Sequence, residues 1–244
     1  GNSSINIKDG SALYTDKNKS IMKAIFGEGS KNELTLGKGV YKNYGIAKNG
    51  FNISSIQFAL HYMFENELML NSFLKNVSQC TEINGYFIGC CYDGLKLFNM
   101  LKSLNNGDST SLFKNDKKIW ELYKRYENSE FLDDESSIGY AIDVYQESIN
   151  KTFREYLVNF NYLTRLLENY GFVPLSMEEF KQLDLPGSVG NFEEMYNLMN
   201  LEIKKDKRMT NKVGSALSMS DEEKKISFLN RYFVFKKVRN LADV

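Results

Sequence analysis

The stretch from residue 51 to residue 89 constrains the fold more than any other part of the sequence. Residues 51–56 form a short apolar and β-branched run, which is typical of a buried parallel strand. Residues 66–80 place apolar side chains at helical spacing on one face. A turn at 84–85 then leads into a second apolar run at 86–88. A strand, a helix and a strand within about 40 residues predict a right-handed βαβ unit.

Polar and aromatic side chains directly follow the first predicted strand. Gln57, Phe58, His61 and Tyr62 are clustered where this strand ends. Ligands of parallel sheets bind beyond the carboxyl ends of the strands. We therefore expect these four residues to lie at a binding site.

The remaining elements are less strongly patterned. Residues 29–50 are rich in Gly, Lys and Asn, which predicts a loop with a short hairpin at 41–46, and residues 105–116 read as a polar loop. Helices are predicted at 16–26, 95–104, 158–170 and 192–204, and from Ser220 onward. Further strands are predicted at 118–126 and 138–146 as an antiparallel pair, at 172–177 as an edge strand containing Pro174, and at 232–238.

Composition narrows the possible partners and sites. The 244 residues are 42% hydrophobic, enough for one domain with a core. Because 31 basic residues balance 31 acidic ones, a polyanionic partner has to be met by a local basic patch. The sequence has no apolar run of the ~18 residues that a membrane span needs, and no signal peptide, so we expect an intracellular protein without membrane contact. One histidine and three cysteines without CxxC spacing predict no metal site.

Two ordered blocks carry a family resemblance. They are FNISSIQFALHYMFE at 51–65 and GYFIG at 85–89. Together they resemble the messenger-RNA cap guanine-N7 methyltransferases, most closely the giant-virus type. FREYLV at 153–158 resembles the cap-binding glutamate segment of that family, and FVFKK at 233–237 resembles its final strand. The resemblance implies an α/β protein, a partial class I (Rossmann-like) S-adenosylmethionine-dependent methyltransferase whose mixed sheet has helices on both faces.

The resemblance also implies a domain layout. Residues 1–244 would be a single, amino-terminally truncated methyltransferase domain. An entry segment and loop would occupy 1–50, the sheet core 51–175, and a lid insertion with the closing strand 176–244. The glycine-rich cofactor loop of the family does not occur in the sequence. We therefore expect a portion of a longer capping enzyme that acts on the capped RNA 5′ end, with other capping-enzyme domains or subunits as partners.

Four residues are implied to hold the guanine of the cap. Guanine presents two adjacent donors, N1–H and the exocyclic amine, and the carboxylate of Glu155 can accept both. His61 would donate to guanine O6, Phe58 would stack on the base, and Tyr62 would lie beside it. The residues alone leave other readings open: Glu155 at the surface of a helix start, Phe58 and Tyr62 as core aromatics, and His61 as a satisfied, partly buried histidine.

Three further cap-binding candidates lie where the sequence departs from the family pattern. Tyr92 follows the second block where the family has a proline, and could give the cap an aromatic wall. Asn230 aligns with a family tyrosine in the last strand. Tyr232 could take the place of that tyrosine.

The implied methyl donor is S-adenosylmethionine. Asn2 and Ser3 correspond to an Asp-Ser pair that contacts the adenine of the cofactor, while Gln57 and Tyr62 are implied to lie near its methionine portion. Guanine N7 already has a free lone pair, so its methylation requires no general base. We therefore expect catalysis by positioning and electrostatics, without a catalytic side chain.

Two other functions remain possible from the sequence. The first is a non-catalytic methyltransferase-like module that binds RNA or a capping partner, which the missing glycine-rich loop favours. The second is a small-molecule methyltransferase, which Glu155 and its Phe-Arg-Glu-Tyr context disfavour.

Overall fold

The computed structural model describes residues 7–8 and 15–241. Its α-helices are α1 (Asp16–Ile25), α2 (Glu33–Leu36), α3 (Lys38–Lys42), α4 (Glu67–Cys80), α5 (Gly94–Leu101), α6 (Phe160–Asn169), α7 (Met177–Gln182), α8 (Phe192–Lys205) and α9 (Asp221–Ser227). Its strands are β1 (Phe51–Gln57), β2 (Thr81–Tyr92), β3 (Ser109–Lys114), β4 (Lys117–Lys124), β5 (Ala141–Gln146), β6 (Lys151–Tyr156), β7 (Phe172–Pro174), β8 (Val189–Asn191) and β9 (Asn230–Lys237). Short 3₁₀ segments lie at Leu60–Glu65, Glu135–Ser137, Lys207–Lys212 and Gly214–Ser218. Across these described ranges, no helix has the length and apolar character required to cross a membrane.

A mixed sheet contains the βαβ unit that the sequence predicts. Its strand order is β1-β2-β9-β7, and β8 also pairs with β9. β1 and β2 are parallel, with Gln57 opposite Cys90 at their carboxyl ends, whereas β9 runs antiparallel to β2. α4 connects the two parallel strands. The α/β class and the mixed sheet are therefore confirmed.

One face of this sheet forms the main core. Phe87 on β2 and Phe233 on β9 are each 1% exposed, and their ring centroids lie 5.0 Å apart. They pack in one cluster with Leu74 of α4 and Leu163 of α6. A Cβ at Gly89 would lie 2.2 Å from the Ile56 carbonyl oxygen and 2.5 Å from the Phe233 ring, so only glycine fits there. This packing fixes the carboxyl ends of β1 and β2.

A second, antiparallel sheet lies beside the first. Its order is β3-β4-β5-β6. Trp120 and Leu122 of β4 are buried with Leu97 of α5 and with Tyr92 at the end of β2. β6 contacts the 3₁₀ segment Leu60–Glu65 that follows β1. The second sheet thereby delivers its side chains to the place where β1 and β2 end.

Two loop predictions are wrong. Residues 41–46 form no hairpin, because the region folds into α2 and α3 instead. The Asn32 side chain caps α2 by accepting from the Leu34 N–H, and Gly37 (φ 77°) separates the two helices. Residues 105–116 are not all loop, because β3 pairs with β4 there.

Two predictions about the βαβ unit also need correction. β1 is not buried: Phe51 and Ile53 are 41% and 56% exposed. The reason is that β1 pairs only with β2 among the described residues. The turn predicted at residues 84–85 does not precede the second strand. These residues lie within β2, which begins at Thr81. Asn84 has a positive φ of 66° at the place where the register with β1 shifts.

Candidate functional site

A cavity of about 620 Å³ lies where β1 and β2 end and the second sheet meets the first. This is the position expected for ligands of parallel strands. The cavity is lined by six of the residues that the sequence singles out, namely Phe58, His61, Tyr62, Tyr92, Glu155 and Asn230. The chain thus brings together side chains that are up to 172 positions apart in the sequence.

Phe58 forms one exposed wall of the cavity. It follows β1 directly and has a φ of 51°, which is unusual for a bulky residue. Backbone strain of this kind clusters at functional sites. Its N–H donates to the Cys90 carbonyl oxygen at 2.7 Å, which fixes the turn. The side chain is 55% exposed and meets the Phe192 ring edge-on. The strained turn thus presents an aromatic face to the cavity rather than to the core.

His61 and Glu155 form the buried polar part of the cavity wall. His61 lies on the 3₁₀ segment Leu60–Glu65, and Glu155 lies on β6 opposite Ile142. The His61 Nδ1 and Glu155 Oε2 atoms are 3.7 Å apart. Among the described residues, both ring nitrogens of His61 and Oε2 of Glu155 are buried without a hydrogen-bond partner. Glu155 is therefore not a surface residue at a helix start, and His61 is not a satisfied histidine.

Burial sets the protonation states of this pair. Burial lowers the pKa of His61 to about 4 and raises the pKa of Glu155 to about 7. At neutral pH His61 is therefore neutral, and the 3.7 Å contact is not an ion pair. A neutral imidazole has one donor and one acceptor, and a carboxylate only accepts. Unpartnered buried groups of this kind destabilise the free protein, so a ligand that satisfies them gains affinity.

Tyr62 and Gln57 lie towards the open side of the site. The Tyr62 ring meets the His61 ring edge-on at a centroid distance of 4.2 Å and is 39% exposed. Gln57 is exposed and does not line the cavity. Its side-chain oxygen accepts from Cys90 Sγ at 3.0 Å and its amide donates to Ser55 Oγ at 2.9 Å. Gln57 and Tyr62 could contact the methionine portion of a methyl donor here.

The other two residues predicted to bind the cofactor, Asn2 and Ser3, lie outside the described residues. Of the four residues predicted to bind the cofactor, Gln57 and Tyr62 lie in the part of the chain that the structure describes.

Tyr92 is held by two side chains of the second sheet. Its hydroxyl accepts from Trp120 Nε1 and from Gln146 Nε2, each at 3.1 Å. Burial raises the pKa of Tyr92 to about 12, so the hydroxyl keeps its proton. Two donors occupy its two lone pairs. Its own O–H is therefore available as a donor to a ligand.

Asn230 lines the same cavity, and Tyr232 does not. The Asn230 amide donates to the Ser227 carbonyl oxygen at 3.0 Å, which fixes the side chain at the start of β9. Tyr232 donates to the Gly187 carbonyl oxygen at 3.1 Å, and its ring lies where a Cβ on Gly190 would be. Tyr232 is therefore not among the residues that line this cavity.

The sequence reasoning missed the contribution of the second sheet to this site. Cavity-lining residues from that part of the chain include Ile119, Trp120, Val144, Gln146, Ile149 and Phe153. The strands that carry most of them were predicted, but their packing against the end of β2 was not. A usable signal was Trp120, which is the only tryptophan and lies in a strand of alternating polarity.

The charge of the cavity wall favours a base over a phosphate. None of the described residues that line it is a lysine or arginine. The other two lining carboxylates, Glu147 and Glu223, are already paired with Lys117 and Lys114. The cavity therefore offers aromatic faces and hydrogen-bonding groups, but no unpaired cation.

Comparison with known proteins identifies relatives among capping proteins. The "Probable mRNA-capping enzyme" of Acanthamoeba polyphaga mimivirus is 27% identical over 222 residues, covering 82% of this chain and 18% of that protein. The "mRNA cap guanine-N(7) methyltransferase" of Candida glabrata is 26% identical, covering 78% of this chain and 44% of that protein. The protein of the same name from Schizosaccharomyces pombe is 28% identical, covering 62% of this chain and 39% of that protein. The chain spans less than half the length of each of these relatives.

A solved structure, the CcbJ methyltransferase of Streptomyces caelestis, superposes with a TM-score of 0.41 at 8% identity, covering 87% of this chain and 63% of that one. This score is too low to bear on function. The family model for the mRNA (guanine-N(7))-methyltransferase domain matches residues 3–238. That range contains both sequence blocks and every described residue that lines the cavity. The chain therefore belongs to the mRNA (guanine-N(7))-methyltransferase domain family.

Proposed function

We propose that this domain transfers a methyl group from S-adenosylmethionine to N7 of the guanine cap of RNA, as part of a longer capping enzyme. The observation that carries the proposal is the set of unpartnered polar atoms on His61 and Glu155, buried in the wall of an aromatic-lined cavity. The proposal also implies action inside the cell, where RNA is made.

The polar pair complements one edge of guanine. An ionised Glu155 accepts from N1–H and from the exocyclic amine, while neutral His61 donates to O6. The 3.7 Å between His61 Nδ1 and Glu155 Oε2 lets one base edge reach both side chains. Adenine would place its N1 acceptor against the carboxylate, so an ionised Glu155 disfavours it.

The aromatic residues complement the faces of the base. Phe58 presents a ring that is 55% exposed at the cavity wall, and stacking on an aromatic ring contributes about 1–3 kcal/mol per base. Tyr92, buried at the end of β2, forms the part of the cavity wall that lies next to the second sheet. The base is thereby held by one edge and by its faces.

This orientation leaves N7 accessible. A guanine held by its Watson–Crick edge at Glu155 points its opposite, imidazole edge away from that carboxylate. Phe58 and Tyr62 are both more than a third exposed there, and Gln57 lies next to them. S-adenosylmethionine, when bound, supplies the electrophilic methyl group. The side chains of the domain orient N7 towards it, which is sufficient because N7 needs no deprotonation.

The test is methyl transfer by the full-length protein to a capped dinucleotide. GpppA should be methylated. Guanine nucleotides should compete with GpppA for binding to the protein, and ATP should not. Glu155→Gln should abolish most of this activity, while Glu147→Gln, a matched change in a second cavity-lining carboxylate, should retain it. Methylation of a dinucleotide that lacks guanine would contradict the proposal. Cap binding without any methyl transfer would instead favour a non-catalytic module that binds RNA or a capping partner.

A further inference from the structure

The segment that holds α1, α2 and α3 carries a local excess of positive charge. Residues 16–48 contain seven lysines and three acidic residues, although the whole chain has 31 basic and 31 acidic residues. All seven lysine side chains are exposed. A chain without net charge thus has the local basic patch that a polyanionic partner requires.

These lysines are also unpaired. Among the described residues, none of the seven lies in an ion pair, whereas Lys114, Lys117 and Lys236 elsewhere each contact a carboxylate. Exposed lysines without carboxylate partners can bind phosphate groups without first breaking an internal ion pair. Binding would release counterions, which is the main source of affinity for nucleic-acid backbones.

Aromatic rings lie among these lysines. The Lys31 ammonium lies 5.4 Å from the Tyr41 ring centroid and 5.6 Å from that of Tyr44. The Tyr44 hydroxyl donates to the Gly29 carbonyl oxygen at 2.7 Å, which fixes its ring. Cations interleaved with half-buried aromatic rings are typical of surfaces that bind single-stranded nucleic acid.

Residues 16–48 and the cavity lie at opposite ends of β1. The Phe26 ring, at the end of α1, contacts the Phe51 ring where β1 begins, at 6.2 Å. Phe58, at the other end, lines the cavity. The seven residues of β1, at about 3.3 Å each, separate the two ends by roughly 20 Å. An RNA chain of several nucleotides that starts in the cavity is long enough to reach residues 16–48.

We propose that residues 16–48 form a binding surface for the RNA chain that follows the cap. This surface, which we call the basic segment, holds backbone phosphates through its exposed lysines, with Tyr41 and Tyr44 as stacking partners for bases. The inference rests on the proposed function, because it takes the cavity as the site of the capped guanine. It also supplies what the cavity wall lacks, namely unpaired cations.

The test compares long and short substrates with two matched variants of the full-length protein. The first variant combines Lys31→Gln, Lys38→Gln and Lys42→Gln in the basic segment. The control combines Lys204→Gln, Lys207→Gln and Lys212→Gln. These three lysines lie in a second basic stretch, residues 204–212, and their side chains are also exposed. Their substitution removes the same charge as the first variant. KM is measured for GpppA and for a capped RNA of about twenty nucleotides, long enough for a single-strand site.

The first variant should raise the KM for the long RNA about tenfold at 0.15 M salt, and the slope of log affinity against log salt should fall by about 2. KM for GpppA should not change, and the control should behave as the unaltered protein on both substrates. An unchanged KM for the long RNA, or an equal rise in the control, would overturn the inference. If methylation of GpppA also falls in the first variant, the same three lysines are replaced by arginine instead. This variant keeps the positive charge, so a normal KM for the long RNA would show that charge at these positions binds the RNA. A raised KM would overturn the inference.

Failure of the proposed function is distinguishable. If the unaltered protein does not methylate GpppA, the proposed function fails. Direct binding of uncapped RNA to the two variants then still tests the basic segment. A loss of binding confined to the first variant supports it, and equal binding by both variants refutes it.

Discussion

Tyr92 and Asn230 lie directly opposite each other on the antiparallel strands β2 and β9. The family resemblance predicts a departure from the family pattern at each of these two positions, so the two predicted departures are cross-strand neighbours. Directly opposed side chains of antiparallel strands contact each other and are constrained together. Tyr92 places its aromatic ring on β2 here, while Asn230 is turned back to the Ser227 carbonyl oxygen. The pair therefore has one large side chain and one small side chain, which leaves the cavity open.

Tyr92→Phe tests whether the hydroxyl contacts the cap. The change removes an O–H donor and leaves Trp120 Nε1 and Gln146 Nε2 without their acceptor. We expect the KM for GpppA to rise roughly five- to tenfold, which corresponds to one lost hydrogen bond of about 1–1.5 kcal/mol. Steady-state methylation measures this.

Trp120→Phe is the matched control for that change, because it removes one donor to the Tyr92 hydroxyl and keeps the hydroxyl itself. If both variants lose stability in urea unfolding and neither changes the KM, the hydroxyl serves only the fold.

Glu155→Gln should stabilise the free protein while it reduces cap methylation. Burial raises the pKa of Glu155 from 4.5 to about 7, so the folded state loses stability as the pH rises from 4.5 to about 7 and the carboxyl must ionise in its buried site. At about 1.4 kcal/mol for each unit of pKa shift, the full cost of ionising Glu155 in the folded state is roughly 3 kcal/mol at pH 8. Gln is neutral and of similar shape, so the variant should unfold at higher urea concentration at pH 8. A variant that is less stable at pH 8 would show that Glu155 has a stabilising partner in the free protein.

The pH dependence of stability separates the two buried groups. Glu155 keeps its proton in the folded state up to about pH 7 but loses it near 4.5 when unfolded, so its contribution falls as pH rises between these values. His61 stays neutral in the folded state down to about pH 4, whereas the unfolded imidazole protonates near 6.5. Its contribution is therefore lost as pH falls from 6.5 to 4. Between pH 4.5 and 6.5 the two slopes oppose each other.

Urea unfolding across this range should thus show little contribution from the pair in the unaltered protein. Stability that rises with pH should appear in Glu155→Gln, because within the buried pair only His61 then titrates. A flat profile for Glu155→Gln would contradict the assigned protonation of His61.

Guanine selectivity should itself depend on pH. A protonated Glu155 accepts only weakly from guanine N1–H and can donate to the N1 acceptor of adenine. Because the pKa of Glu155 in the free protein is about 7, the ratio of GpppA affinity to ApppA affinity should rise between pH 6 and 8. Competition binding at fixed ionic strength measures it. The selectivity of Glu155→Gln should be low and independent of pH, and a persistent rise in that variant would assign the effect to another group.

The sequence predicted the first sheet better than the site. The apolar run of β1 and the helical spacing of α4 are local signals, and both elements form where they were expected. The capping sequence at Ser220 also holds, since its hydroxyl and Glu223 cap α9 reciprocally. Local patterns of this kind are readable because hydrogen bonds and burial within one segment produce them.

The site depended on packing between distant segments, which no local pattern records. Glu155 is polar in sequence, yet it is 8% exposed because β6 packs beside the segment Leu60–Glu65. Trp120 and Gln146 reach Tyr92 only because the two sheets meet. The family resemblance pointed to Glu155 and His61, but burial, separation and missing partners were visible only in the structure.

His61→Ala should lower turnover on guanine caps without unfolding the protein. The imidazole is buried, but among the described residues neither of its nitrogens has a hydrogen-bond partner. Its removal therefore loses packing contacts, which lowers stability, and also removes two unsatisfied polar atoms, which raises it. We expect a change in melting temperature of only a few degrees and at least a tenfold lower kcat/KM for GpppA. His61→Gln, which keeps a donor, should recover part of the activity. Collapse of the fold in both variants would make His61 a structural residue.

Ile53 gives a prediction about the free edge of β1. Its side chain is 56% exposed, and β1 pairs only with β2 among the described residues. An edge strand with exposed apolar side chains pairs readily with other chains. Purified residues 1–244 should therefore self-associate, and Ile53→Lys should shift the population towards monomer in size-exclusion chromatography, with unfolding in urea unchanged. Leu34→Lys, at a 97% exposed site on α2, adds the same charge away from the edge and should leave self-association as it is.

In a longer protein that covers this edge, Ile53→Lys should instead lower stability by several kcal/mol, because it buries a charge. Equal association of the two variants of residues 1–244 would show that β1 is not the contact.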